Sequence, residues 1–89
     1  MKLSATQIEV LQRMGEGSGA IIRLPGGFWA TPETKVRANG VPEWSGTIPT
    51  IRALERLHLL ARAGEFPEEW RDTRRLTPDG RIEAESLRR

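Results

Sequence analysis

Three stretches of the chain space their apolar residues as helices do, and between them the spacing shortens to the two-residue period of strands. In "LSATQIEVLQRMG", Ile8, Leu11 and Met14 recur on one face while Glu9, Gln12 and Arg13 lie towards water, the pattern of an amphipathic helix. Ser4 and Gln7 have capping-box spacing, and Leu3 and Ile8 stand at the positions of a hydrophobic staple. The helix is therefore expected to start at Ser4 and to stop at Gly15. A second helix is predicted in "TIPTIRALERLH", where Ile48, Ile51, Leu54 and Leu57 cluster on one side and Pro49, Arg52, Ala53 and Arg56 on the other. Pro49 falls in the first turn, where no intrahelical N–H bond is lost. The third, "LTPDGRIEAESL", has Thr77 as N-cap and Pro78 at the first helical position, with Ile82 and Leu87 as its expected apolar contacts and Gly80 as a weak point.

The intervening segments read as strands and turns. "GEGSG" follows a helix, opens a strand and contains no lysine, so it is a connector and not a phosphate-binding loop. "AIIRLPGGFWAT" predicts a β-hairpin about Pro25-Gly26-Gly27, with Phe28 and Trp29 on opposite faces of their strand. Residues 32–46, "PETKVRANGVPEWSG", leave three forms open: a short helix capped by Thr31 and Pro32 that stops at Asn39-Gly40, a strand, or an open loop. After His58, "LLARAGEFPEEWRDTRRL" fits two strands joined by an irregular loop. Of the three tryptophans, Trp29 and Trp70 are expected to finish the core and Trp44 to cover it. Stacking platforms for single-stranded nucleic acid are the competing use of such residues.

Composition narrows the class. Eighty-nine residues, 37% hydrophobic and 29% charged, imply one globular domain over residues 1–89 with a modest core. No apolar run is long enough to span a bilayer and "MKLSATQIEVLQ" lacks a signal-peptide pattern, so a cytoplasmic location away from membranes is expected. With no cysteine and one histidine, disulfides are excluded and neither a structural metal nor a cofactor is expected. No Ser/His/Asp set has workable spacing, and Glu68-Glu69 sit in a loop instead of a desolvated pocket. An enzyme is not expected. The net charge is only +2, but twelve of the fourteen basic residues are arginine, the side chain best suited to phosphate or guanine, although a GC-rich genome gives the same bias.

Two motifs carry a resemblance. "TIRALERLHLLAR" looks like a recognition helix running into the first wing strand of the winged helix-turn-helix regulators, with His58 where glycine is usual, and "WRDTRRLTPDGR" looks like the second wing strand and the opening of the last helix. Together they span residues 47–82. The resemblance implies an α+β fold, a small winged-helix domain of three to four helices with a β-hairpin wing. It also implies a small cytoplasmic transcription regulator of bacterial or phage origin that binds double-stranded DNA through the open face of the 47–58 helix, as a homodimer on a palindromic site. The candidate contacts are Arg52 and Arg56 on that face, Thr47 and Thr50 in its first turn, and the basic cluster Arg71, Arg74 and Arg75, which Asp72 and the nearby glutamates are alternatively placed to neutralise. Three departures bear on this: a "PGG" hairpin and residues 32–46 occupy the place of the usual second helix, His58 replaces the glycine that would turn left-handed after the helix, and the wing carries Glu65, Glu68 and Glu69. Carboxylates there oppose entry of the wing into a groove. The alternative function is a winged-helix module that binds another protein and no longer binds DNA.

Overall fold

The Gln7 amide donates to Ser4 Oγ at 3.2 Å and the Ser4 amide donates to Gln7 Oε1 at 2.9 Å, closing the expected capping box, so the first helix, α1 (Ala5–Glu16), begins directly after Ser4. The computed structural model describes residues 2–64 and 72–87. The loop glutamates Glu65, Glu68 and Glu69, together with Trp70 and Arg71, lie outside the described residues. After α1 come β1 (Ala20–Leu24), β2 (Phe28–Ala30), α2 (Ile48–Arg56), β3 (Leu60–Arg62), β4 (Thr73–Leu76) and α3 (Pro78–Ser86). The four strands form one antiparallel sheet in the order β2-β1-β4-β3. The chain is thus a small α+β domain with three described helices. None of them is long and apolar enough to cross a membrane.

One face of the sheet supplies the core. Side chains alternate along a strand, and Ile21, Trp29, Leu60 and Leu76 from the four strands join Val10, Leu11 and Met14 of α1 and Ile51 and Leu54 of α2 in a single buried cluster. The hairpin turns at Pro25-Gly26-Gly27, with Leu24 opposite Phe28 and the Gly27 amide donating to the Leu24 carbonyl at 3.0 Å. Gly26 and Gly27 both have positive φ, which a side chain would strain. Trp29 is buried and Phe28, on the other face, is half-exposed.

Between β2 and α2 there is no helix. Thr31 to Thr34 form a turn, and Val36 pairs with Pro42 around Gly40 in a miniature hairpin. Besides the 3.4 Å bond from the Ser18 amide to Glu33 Oε1, this segment is pinned to the rest of the domain at two points. Trp44 Nε1 donates to Glu9 Oε1 at 2.7 Å beneath the Arg13 guanidinium, and the Gly46 amide donates to the Trp29 carbonyl at 2.7 Å. Of the three forms the sequence leaves open, the loop is the one adopted, because its backbone groups are met by tight turns and by the edge of β2.

Three expectations are corrected by packing. Gly15 does not stop α1, which runs on to Glu16; a Cβ on Gly15 would stand 3.0 Å from that of Ala84, so the glycine is where α3 crosses α1 closely. Ile82 is 66% exposed, and α3 instead turns Gly80, Ala84 and the partly buried Leu87 inward. Ile48 is 47% exposed at the start of α2, where the helix has not yet descended onto the core that holds Ile51 and Leu54.

The end of α2 sets the course of everything after it. His58 has φ of 61°, its amide donates to the Glu55 carbonyl at 2.9 Å, and the Leu59 amide donates to the Leu54 carbonyl at 3.0 Å. These are the paired bonds of a Schellman termination, with histidine where glycine is favoured. Thr77 then ties the reversed chain to α3. Its hydroxyl donates to the His58 carbonyl at 2.6 Å and accepts from the Gly80 amide at 3.0 Å, while its own amide donates to the Leu59 carbonyl at 3.0 Å.

His58→Gly is expected to raise stability by about 0.5–1 kcal/mol, since it removes the left-handed strain of a side chain, and a urea midpoint above that of wild type checks it. Gly80→Ala should act in the opposite sense despite the better helix propensity of alanine, because the added Cβ would land on the Leu59 carbonyl oxygen. A loss of about 1–3 kcal/mol, measured by the same denaturation, is expected; an unchanged or higher midpoint would show that α3 can move away at no cost.

Candidate functional site

Arginine gathers on the side of the sheet that carries α2. Arg62 lies directly across from Arg74, and Arg23 directly across from Trp29. These pairs rise from the same sheet face as Ile21, the partner of Arg74 in the neighbouring strand. From above, the exposed Arg52 and Arg56 of α2 project beside them. The result is a cleft of about 210 Å³ lined by Arg23, Trp29, Ile48, Ile51, Arg52, Glu55 and Arg74. It continues into a wider groove between Arg52, Arg56, Arg62, Glu55 and Arg74.

Arg74 differs from its neighbours. Its side chain is only 11% exposed; Nε donates to Glu55 Oε1 at 2.8 Å, Nη1 donates to the Thr73 carbonyl at 3.0 Å, and the guanidinium lies 5.3 Å from the centroid of the Trp29 ring. Directly opposed like charges in a strand pair repel, and Glu55, itself 27% exposed, offsets that repulsion between Arg74 and Arg62. Arg23 meets Asp72 at 4.0 Å with both side chains more than half exposed, a contact of little energetic weight. Among the described residues, Arg52, Arg56 and Arg62 form no ion pair.

The expected site residues are thus brought together in part. Arg52, Arg56 and Arg74 line one groove. Thr47 is exposed, whereas Thr50 is buried, and their hydroxyls lie 2.8 Å apart in a mutual hydrogen bond. Arg75 pairs with Ala20 and Ala61 on the opposite face from Arg74 and is exposed there. Arg71 is outside the described residues. Two groove residues, Arg23 and Arg62, do not stand out in the sequence until strand register is known, and neither does Glu55, which anchors Arg74. A signal for both arginines exists in the two-residue period: Arg23 follows Ile21, and Arg62 follows Leu60, on the buried face. No group of three His, Cys, Asp or Glu side chains among the described residues is arranged to hold a metal ion.

Set against known proteins, the chain matches no family model, no curated protein and no solved structure.

The Glu55–Arg74 pair is expected to contribute to folding. Replacing Glu55 with alanine removes the carboxylate that accepts from Arg74 Nε and should cost about 1–3 kcal/mol. A double-mutant cycle with Arg74→Ala, read by urea denaturation, should return a coupling energy above the roughly 0–1 kcal/mol of an exposed pair; additive effects would mean that the pair is held by packing alone.

Proposed function

We propose that the protein binds double-stranded DNA through the arginine groove beside α2 and serves as a small transcription regulator of the winged-helix type. The observation that carries the reading is the segregation of charge. Among the described residues, five arginines line the groove system against two carboxylates, Glu55 and Asp72, a formal +3. The described residues outside the groove hold six basic against seven acidic side chains, so they are slightly acidic. A protein that meets a polyanion at one surface has this distribution, because concentrated positive charge both binds phosphate and orients the encounter.

Arginine is the suitable cation for this task. Its planar fork makes bidentate contacts with phosphate oxygens or with a guanine edge. In this reading Arg52 and Arg56 contact DNA directly along the exposed length of α2, with Thr47 at the near end. Homodimerisation on a palindromic site and a bacterial or phage setting belong to the same proposal. Support for the winged-helix type comes from the succession of helix, strands, helix, strand pair and helix, and from the antiparallel β4–β3 pair that follows α2. The described chain has no helix immediately before α2 to act as a second clamp on the duplex.

Titration into a fluorescent random-sequence duplex at several salt concentrations tests the reading. The expected result is affinity that falls steeply with salt and a log–log slope that Arg52→Ala/Arg56→Ala makes shallower by about 1.8, at about 0.9 per released phosphate contact. Absence of binding even at low salt overturns it. The protein-binding alternative would then gain from the outer sheet face, where Ile22, Leu24 and Phe28 are only half-buried.

A further inference from the structure

We infer that the phosphate-contacting surface is not confined to α2 but crosses it, with Arg62 of β3 and Arg23 of β1 holding the DNA backbone on either side and Arg74 fixed between them as a positioning residue. This deepens the DNA reading and rests on it. The clefts are continuous: Arg52, Glu55 and Arg74 line both the one that contains Arg23 and the one that contains Arg62. A further concavity continues from Arg23 along the β1–β2 turn, past Leu24, Pro25, Gly26 and Gly27 to Asp72. The track therefore reaches the hairpin, the element that stands where the winged-helix resemblance calls for another helix.

The arginines of the track divide by availability. Arg23, Arg52, Arg56 and Arg62 are exposed, so each can give up its hydration for a phosphate oxygen. Arg74 is committed to Glu55, the Thr73 carbonyl and the Trp29 ring. Its charge is met by Glu55 at the base of the groove, so its part is to hold the groove together and not to take a phosphate. Its partner Glu55 sits on α2 between the turns that carry Arg52 and Arg56. The pair consequently fixes α2 to β4, and with it the spacing between the helix arginines and those of the strands. Since backbone phosphates are equivalent along any sequence, contacts from Arg23 and Arg62 set register and affinity and leave sequence preference unchanged.

The test compares two double variants that lower the net charge equally. Arg23→Ala/Arg62→Ala removes the flanking pair, and Arg37→Ala/Arg81→Ala removes two exposed arginines outside the groove, one in the turn between β2 and α2 and one on α3. With the random duplex as probe, the first should make the salt slope shallower by about 1.8 and weaken binding alike on different duplex sequences, while the second leaves the slope at its wild-type value. Arg23→Lys/Arg62→Lys should restore the slope, because a phosphate accepts a point charge; restoration also separates lost contact from lost folding, which urea midpoints of all variants check directly. Equal effects of the two alanine pairs would overturn the inference in favour of a diffuse charge effect. A slope that responds to Arg52→Ala/Arg56→Ala but not to the flanking pair would overturn it while leaving the DNA reading intact, and wild-type protein that does not bind would overturn both.

Discussion

The reversal of the chain at His58 is the constraint on which the remaining geometry depends. A helix that ended without a left-handed residue would carry Leu59 away from the core; with His58 at positive φ, Leu59 folds back beneath Leu54 and both are buried. β3 then begins immediately, at Leu60, and its third residue, Arg62, emerges beside the last turn of α2. Thr77 fixes the same point from the other side, since its bonds to the His58 and Leu59 carbonyls bring the start of α3 to the end of α2. One corner thus sets the relation of four elements. A histidine is tolerated in it because the carbonyls that the turn would orphan are satisfied by the backbone and by a threonine hydroxyl.

The groove follows from that corner through electrostatics. Bringing Arg62 against Arg74 across a strand pair is unfavourable by itself, and a largely desolvated guanidinium is more so. Both costs fall when Glu55 reaches down from α2 to Arg74 and Trp29 offers its ring face to the same group. The carboxylate has therefore two effects that the exposed arginines do not share: it permits a buried cation and it couples helix to sheet. Charge that would otherwise scatter is concentrated on one face, and the exposed arginines around it are left to interact outward.

Local signals in the sequence were enough to place the helices and most of the strands. Ser4 with Gln7, Thr77 with Pro78, and Pro25-Gly26-Gly27 each act within a few residues, and the structure realises each as read. What the sequence concealed depends on which elements approach one another. Gly15 reads as a stop and is a crossing point for Ala84; Ile82 reads as a core residue and is exposed because the contact surface of α3 is made of Gly80 and Ala84. The groove was legible in halves. Arg52 and Arg56 follow from helical projection alone, whereas Arg23, Arg62 and the tie between Glu55 and Arg74 require the register of three strands. That register is long-range information, although the placement of each arginine two residues from a buried aliphatic carried a trace of it.

The segment between β2 and α2 bears on how a ligand can approach. Gly46 pairs with Trp29, which extends the edge of β2, and Thr47 then caps α2 by position while its hydroxyl is engaged with that of Thr50. The start of the helix is thus anchored by main-chain pairing, and a Cβ at Gly46 would press to 3.3 Å from Val10, so this anchor lies close on the core. Thr50 is turned inward, which leaves the long side of α2 as its polar surface, bounded by Arg52 and Arg56. A polyanion lying along that side meets guanidinium groups from helix and strands together, whereas one at the helix start meets exposed Thr47, Ile48 and Pro49 and no cationic side chain. Under the proposed DNA reading, the geometry favours contact along the side of α2 instead of at its end.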